Sequence, residues 1–283
     1  MIQTEYAKCA EGEFRHSKDL FKLPKKAKTA VYQGKNMVIN LSYIGKNRLL
    51  DYSTIRTYFG HKLLAKSSAG KYDPKKNLPL FFKPDKKIGH QDIFNVYRYR
   101  YEGTKYSPEE AGRDDVRLIA TEAAYSVHIL EVNSKIDAHL SSTIWATMSS
   151  AEHTIFLPYN NLISKVDKKY SAIEDNTKYF GTKKMPKDSE NNDILYSENI
   201  AHIYFKRLNS LAGDNRKLYS KGIRDYWQKQ EKQLISDYQK IYKQACVLYD
   251  KNKNSAKKLL TDFSINVQKE ALADADSMFK ELM

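Results

Sequence analysis

Ile223, Tyr226, Trp227, Gln230, Leu234, Tyr238, Ile241, Tyr242, Ala245 and Leu248 recur at three- and four-residue spacing and draw one long stripe down a single helix. A stripe of this kind needs a surface to bury it. The chain reads as helical from Tyr196 to its last residue, with a final helix over about Ser255 to Leu282.

The stretch that precedes the helices has a different period. In residues 117–158, Val127, Ile129 and Glu131 alternate with His128, Leu130 and Val132, and the runs Thr143–Met148 and His153–Leu157 follow. Asn133-Ser134 and Ser149-Ser150 separate them, which predicts consecutive antiparallel strands joined by tight turns. Apolar residues on both faces of Ser142–Met148 predict a sheet covered on at least one side by helices. Upstream, Ile55, Tyr58, Phe59, Leu63 and Leu64 predict an amphipathic helix over Asp51–Lys66, capped near Asp51 or Ser53. A second helix is expected over Ile88–Glu102, started by Gly89 or Gln91, with Ile93, Phe94, Tyr97 and Tyr101 on its apolar face. Residues 1–30 suggest a short helix that breaks, 31–44 an extended segment, 71–87 an ordered proline loop and 171–193 an exposed loop. Helices, a meander over 116–160 and a helical region over 196–283 make the fold class α+β. Residues 1–15 are poorly assigned and 16–283 form one domain-like portion.

Composition narrows the classes. Of 283 residues, 41% are hydrophobic and 12% aromatic, with 21 tyrosines, so a folded chain with a substantial core is expected. Two cysteines, Cys9 and Cys246, are too few for a disulfide framework, and no CxxC spacing points to zinc. Asp114-Asp115 and Glu109-Glu110 read as loop charge, so neither a metal nor another cofactor is expected. No apolar run reaches the roughly 18 residues of a spanning helix, and the first residues are not a signal peptide. The expectation is a cytoplasmic chain as written, away from membranes. The charge of +14, from 48 basic and 34 acidic residues, raises nucleic-acid binding. The lysines are dispersed and no nucleic-acid module is recognisable, so no nucleic-acid partner is expected.

Several segments share one likeness. Leu78-Pro79-Leu80-Phe81-Phe82-Lys83-Pro84-Asp85-Lys86-Lys87-Ile88 is followed by Tyr97-Arg98-Tyr99-Arg100-Tyr101-Glu102-Gly103-Thr104. Then come Arg117-Leu118-Ile119, Ser126-Val127-His128-Ile129, Ser142–Met148 and Phe156-Leu157-Pro158-Tyr159, and further on Ala201–Asn209 and Tyr226-Trp227. In this order and spacing, from about residue 16 to the end, they resemble the bacterial cysteine dipeptidases of the secreted-dipeptidase or dipeptidase A type, which are N-terminal-nucleophile hydrolases.

The resemblance implies an αββα sandwich, a dipeptide substrate and peptide-bond hydrolysis through an acyl-enzyme. It implies a leading cysteine whose own α-amino group, with an unperturbed pKa of about 8, accepts the thiol proton. The segment that carries this nucleophile, and the oxyanion asparagine, precede everything matched here, so the nucleophile is expected to be absent and the chain inactive alone. Activity would need the missing half in trans; intact relatives may be exported. Arg117 is the matched residue expected at the catalytic cleft, orienting a carboxylate by charge-assisted hydrogen bonds, or else a structural arginine at a strand start. His128 is the substrate-binding candidate, although a lone strand histidine is more often a packed residue. His153 and His61 rank below it. Cys9 lies in a polar segment that is not strand-like and reads as an ordinary thiol, and Cys246 reads as core. The alternative reading is a non-catalytic peptide- or partner-binding remnant.

Overall fold

The computed structural model describes residues 17–37, 50–74, 78–79, 82–112, 115–171 and 200–283. Two compact units are present. One comprises Met1–Asp92 and Tyr101–Ile119, the other Ile93–Arg100 and Ala120–Met283.

The first unit opens with helix α1 (Lys22–Lys26), which includes Pro24, and a hairpin of β1 (Tyr32–Gln33) and β2 (Asn36–Met37). Gly34 takes the turn at φ +63°, a conformation that a Cβ disfavours. The second half of the expected extended segment, 38–44, lies outside the described residues. Helix α2 (Leu50–Leu64) confirms the periodic reading, with Asp51 and Ser53 in its first described turn. Ile55 and Phe59 are buried one turn apart, whereas Leu63 is exposed. Phe59 stacks on Tyr101 at 4.3 Å. A short helix α3 (Lys66–Ala69) follows, and the proline loop is tied to it by Asp85, which accepts the Ser67 amide at 3.0 Å.

Helix α4 (His90–Arg98) crosses from one unit into the other. Asp92, in its first turn, accepts the Gly89 N–H at 2.9 Å, so Gly89 caps the helix. The helix ends four residues short of the expected Glu102. Tyr101 sits at φ +68°, outside any helix, with its hydroxyl donating to the Arg117 carbonyl at 2.7 Å. Helix α5 (Pro108–Ala111) begins with proline and stops at Gly112 in the left-handed region.

In the second unit, β3 (His128–Val132), β4 (Ser142–Ala146) and β5 (Leu157–Asn160) form an antiparallel sheet in that order. The third strand expected over His153–Leu157 is corrected: Ala151–His153 is a 3-10 turn and pairing begins only at Leu157, because the Thr154 carbonyl and the Phe156 N–H bond Arg98 and Glu231 instead of β4. The connections over 133–141 and 147–156 are longer than the tight turns expected. Thr143 and Trp145 point to a buried face, where Trp145 meets Phe94 and the edge of Tyr238. Helices cover one side of the sheet, as expected, and leave the other open. There Leu130, Val132 and Ile144 are exposed, because period-2 alternation sends Ile144 away from Trp145.

Helices α6 (Ala201–Asp214), α7 (Arg216–Lys251) and α8 (Lys253–Leu282) cover the buried face. The stripe that opened the sequence reading lies on α7, with Ile223, Trp227, Leu234, Tyr238 and Ala245 buried. Asn252 alone joins α7 to α8, and its side chain accepts the Ser255 N–H at 3.1 Å. Buried Ala245, Ala256, Ala271 and Ala275 leave room for close helix approach. Residues 172–199, with the expected loop of 171–193, lie outside the described residues but for Ser171. Among the described residues no helix is long and apolar enough to cross a membrane.

Candidate functional site

The turn between β4 and β5 carries the densest buried polar chemistry of the second unit. Thr147, Ser149, Ser150, Glu152, His153 and Thr154 are all buried, with a single 3-10 turn over Ala151–His153. Burying so polar a segment is costly unless its groups find partners, and most here do; the Ser149 and Ser150 hydroxyls have none among the described residues.

Arg98, from the end of α4, supplies the first set. Its Nε donates to the Ala151 carbonyl at 2.9 Å and its Nη2 to the Thr154 carbonyl at 2.5 Å. Both terminal nitrogens also grip Glu231 of α7, at 2.7 and 2.6 Å, and Glu231 accepts the Phe156 N–H at 2.9 Å. The two side chains are 2% and 0% exposed. This is a two-pronged buried ion pair that fixes the turn to the helix layer.

His153 supplies the second set. Its Nδ1 lies 3.0 Å from Asn209 Oδ1 and its Nε2 2.8 Å from Ser220 Oγ. Serine, histidine and asparagine thus stand in the order of a hydrolytic relay. Chemistry rules against that use. Burial, with Arg216 and two further arginines nearby, pushes the imidazole down to about 3. A base that weak does not take a serine proton near neutral pH. The three side chains are 5% (Ser220), 1% (His153) and 9% (Asn209) exposed. Ser220→Ala is therefore expected to cost about 1–2 kcal/mol of stability, measured by urea denaturation, and to leave hydrolysis untouched.

The third set reaches solvent. Glu152 lies beside Arg216, and 3.6 Å from Arg100 Nη1. Burial raises the Glu152 carboxyl above its ordinary range while Arg100 and Arg216 pull it back. On the other side of the same two arginines is Glu122, 2.6 Å from Arg216 and 3.4 Å from Arg100.

The residues expected from the sequence are elsewhere. Arg117 lies in the first unit, exposed and outside any strand, so the strand-start expectation is corrected. His128 lies in the second unit, at the start of β3 opposite Ala146, on the exposed sheet face that carries Leu130 and Val132. It is not packed. His153 is the buried, doubly bonded histidine. His61, in the first unit, bonds Ser68 at 3.0 Å and stacks on Phe82 at 4.0 Å. Cys246 is half-buried against the core, and burial pushes its thiol up. Cys9 and Asp114 lie outside the described residues, and Glu110 accepts the Gly103 N–H at 2.6 Å. Among the described residues no group of three His, Cys, Asp or Glu is placed to hold a metal.

Comparison with known proteins gives the lineage of this turn. The family model of Peptidase family C69 matches residues 13–189. The chain belongs to this family. The C69 match takes in the proline loop, Arg98, Arg100, Glu122 and the turn with Glu152 and His153, and stops short of the helices that supply Asn209, Arg216, Ser220 and Glu231. Probable dipeptidase B of Lactococcus lactis subsp. lactis (strain IL1403) is 28% identical over 150 residues, covering 49% of this chain and 31% of the relative. Probable dipeptidase B of Streptococcus pyogenes serotype M1 is 27% identical over 177 residues, covering 58% and 34%. The C69 chain spans about a third of the length of these curated relatives.

Proposed function

We propose that this chain serves the cysteine-type hydrolysis of dipeptides. The observation that carries the reading is the C69 match over the segments that build the buried turn, joined by two relatives each named a probable dipeptidase. The αββα sandwich is part of the same proposal. A sheet packed by helices on the Trp145 face and exposing Leu130, Val132 and Ile144 on the other has the form of half such a sandwich.

Cys246 is not the nucleophile of this reading. A thiolate attacks, and burial on α7 disfavours the thiolate at Cys246. The attacking thiol, with the free amine that such chemistry uses, belongs outside the described residues. Arg117 and His128 keep their proposed parts as a carboxylate-orienting and a substrate-binding side chain; both are exposed, as that requires.

Two measurements test the reading. Dipeptides titrated into the purified chain are expected to bind, seen as chemical-shift changes confined to a subset of residues. Release of free amino acids, followed by chromatography, is expected to be the same with Cys246→Ala as with the unaltered chain. Loss of release on that substitution overturns the assignment of the thiol. Absence of binding across a broad dipeptide panel overturns the dipeptide reading, and release of amino acids by the purified chain overturns the expectation that it is inactive alone.

A further inference from the structure

We propose that Arg100 and Arg216 form the seat for the free α-carboxylate of a dipeptide, and that Glu122 occupies this seat in the unliganded chain. The inference deepens the dipeptide reading and rests on it for the identity of the ligand.

The two arginines are unequal in what they touch on each side. Behind them is Glu152, a carboxylate 2% exposed that Arg216 bonds directly and Arg100 approaches at 3.6 Å. In front is Glu122, 64% exposed. Glu152 is fixed by the buried turn; Glu122 stands on an exposed turn closed by the Ala124 amide on the Thr121 carbonyl at 3.3 Å. The two arginine side chains are 5% and 12% exposed, and their ion pairs hold them in place before any ligand arrives. Arg100 is braced further by its Nη1 donating to the Ala120 carbonyl at 3.1 Å. Preorganised arginines cost little ordering on binding, which favours them as carboxylate receptors.

The local charge also fits an anion. Arg224 adds its field to those of Arg100 and Arg216 at Glu152 and His153. Arg216 is also the first residue of α7, whose opening turn contains no acidic residue and whose N-cap Asn215 makes no side-chain bond to it. An exposed ion pair contributes little, so a ligand carboxylate displaces Glu122 at small cost, whereas Glu152 stays. A dipeptide presents one such carboxylate; its C-terminal amide does not.

The test titrates the purified chain with a dipeptide, with the same dipeptide as its C-terminal amide, and with N-acetylglycine as a carboxylate without a peptide amine. The reporter is the arginine Nε–H region of the NMR spectrum, with Arg216→Lys identifying one signal. The dipeptide and N-acetylglycine are expected to shift the Arg216 signal and the amide to leave it. Glu122→Gln, at an exposed position that folding tolerates, is expected to tighten both carboxylates about two- to fivefold. Equal binding of the amide, or no tightening in Glu122→Gln, overturns the seat. A dipeptide that binds without shifting Arg216 overturns the seat and leaves the dipeptide reading standing. N-acetylglycine bound at Arg216 with no dipeptide bound anywhere overturns both the dipeptide seat and that reading.

Discussion

Glu231→Ala is expected to destabilise the chain by about 3–5 kcal/mol, a large share of the roughly 5–15 kcal/mol that holds a domain together. The substitution leaves the Arg98 guanidinium charged, 2% exposed and without its carboxylate, and it strips the Phe156 N–H of its acceptor. Either defect alone is costly in a buried place. Glu231→Gln keeps an acceptor for one of the two prongs and is expected to lose less. Replacing both partners, as Arg98→Met with Glu231→Leu, removes the stranded charge. It still orphans the carbonyls of Ala151 and Thr154, so it falls between the single alanine variant and the unaltered chain. Urea denaturation followed by circular dichroism measures all three. A Glu231→Ala loss under about 1 kcal/mol refutes the account of this pair as the fastening between turn and helix.

Stability is expected to fall as pH drops below about 6.5, and His153 is expected to carry much of the fall. Its imidazole is held neutral in the fold, down to about 3, while in the unfolded chain it takes a proton near 6.5. Above 6.5 neither state binds the proton and the His153 network contributes fully. Between 6.5 and 3 the unfolded state gains a proton that the folded state refuses, so each pH unit subtracts up to about 1.4 kcal/mol. Below about 3 the loss levels off. Glu152 works in the opposite sense, because its carboxyl is raised and the folded state holds that proton more firmly. The comparison that isolates histidine is therefore the unaltered chain against His153→Asn. The slope of unfolding free energy with pH is expected to be shallower in the variant by about 1 kcal/mol per unit between pH 6 and 4. Equal slopes would show that the imidazole titrates normally in the fold.

Periodic features were legible in the amino acids and paired features were not. The stripe from Ile223 to Leu248 is a local signal, and α7 forms where it predicts. The first two strands follow from alternation, whereas the third lies at Leu157–Asn160 instead of His153–Leu157, because partners distant in sequence take the backbone groups of Thr154 and Phe156. Helix α4 was misjudged at its end, because Tyr101 suits an apolar face by composition while its backbone adopts φ +68°. Arg98 stood inside the motif that carried the family likeness, yet its partner lies 133 positions away, and no spacing rule reaches so far. His128 looked better placed than His153 because it sits in a cleaner strand pattern. What separates them is the pair of hydrogen-bond partners that α6 and α7 bring to His153 from 56 and 67 positions downstream. The Glu122–Arg100–Glu152–Arg216 ladder joins three short elements and the start of a helix, and charge composition alone gives no hint of it.

The distance between Arg98 and Glu231 bears on how the protein is born. A ribosome adding about 5–20 residues per second needs on the order of ten seconds to travel from one to the other. From the synthesis of Trp145 until α6 and α7 follow, the nascent meander has its tryptophan and its arginine made but the helices that shelter them still unsynthesised. Closure must wait for the last third of translation, and until then the emerging strands are the natural clients of a holding chaperone.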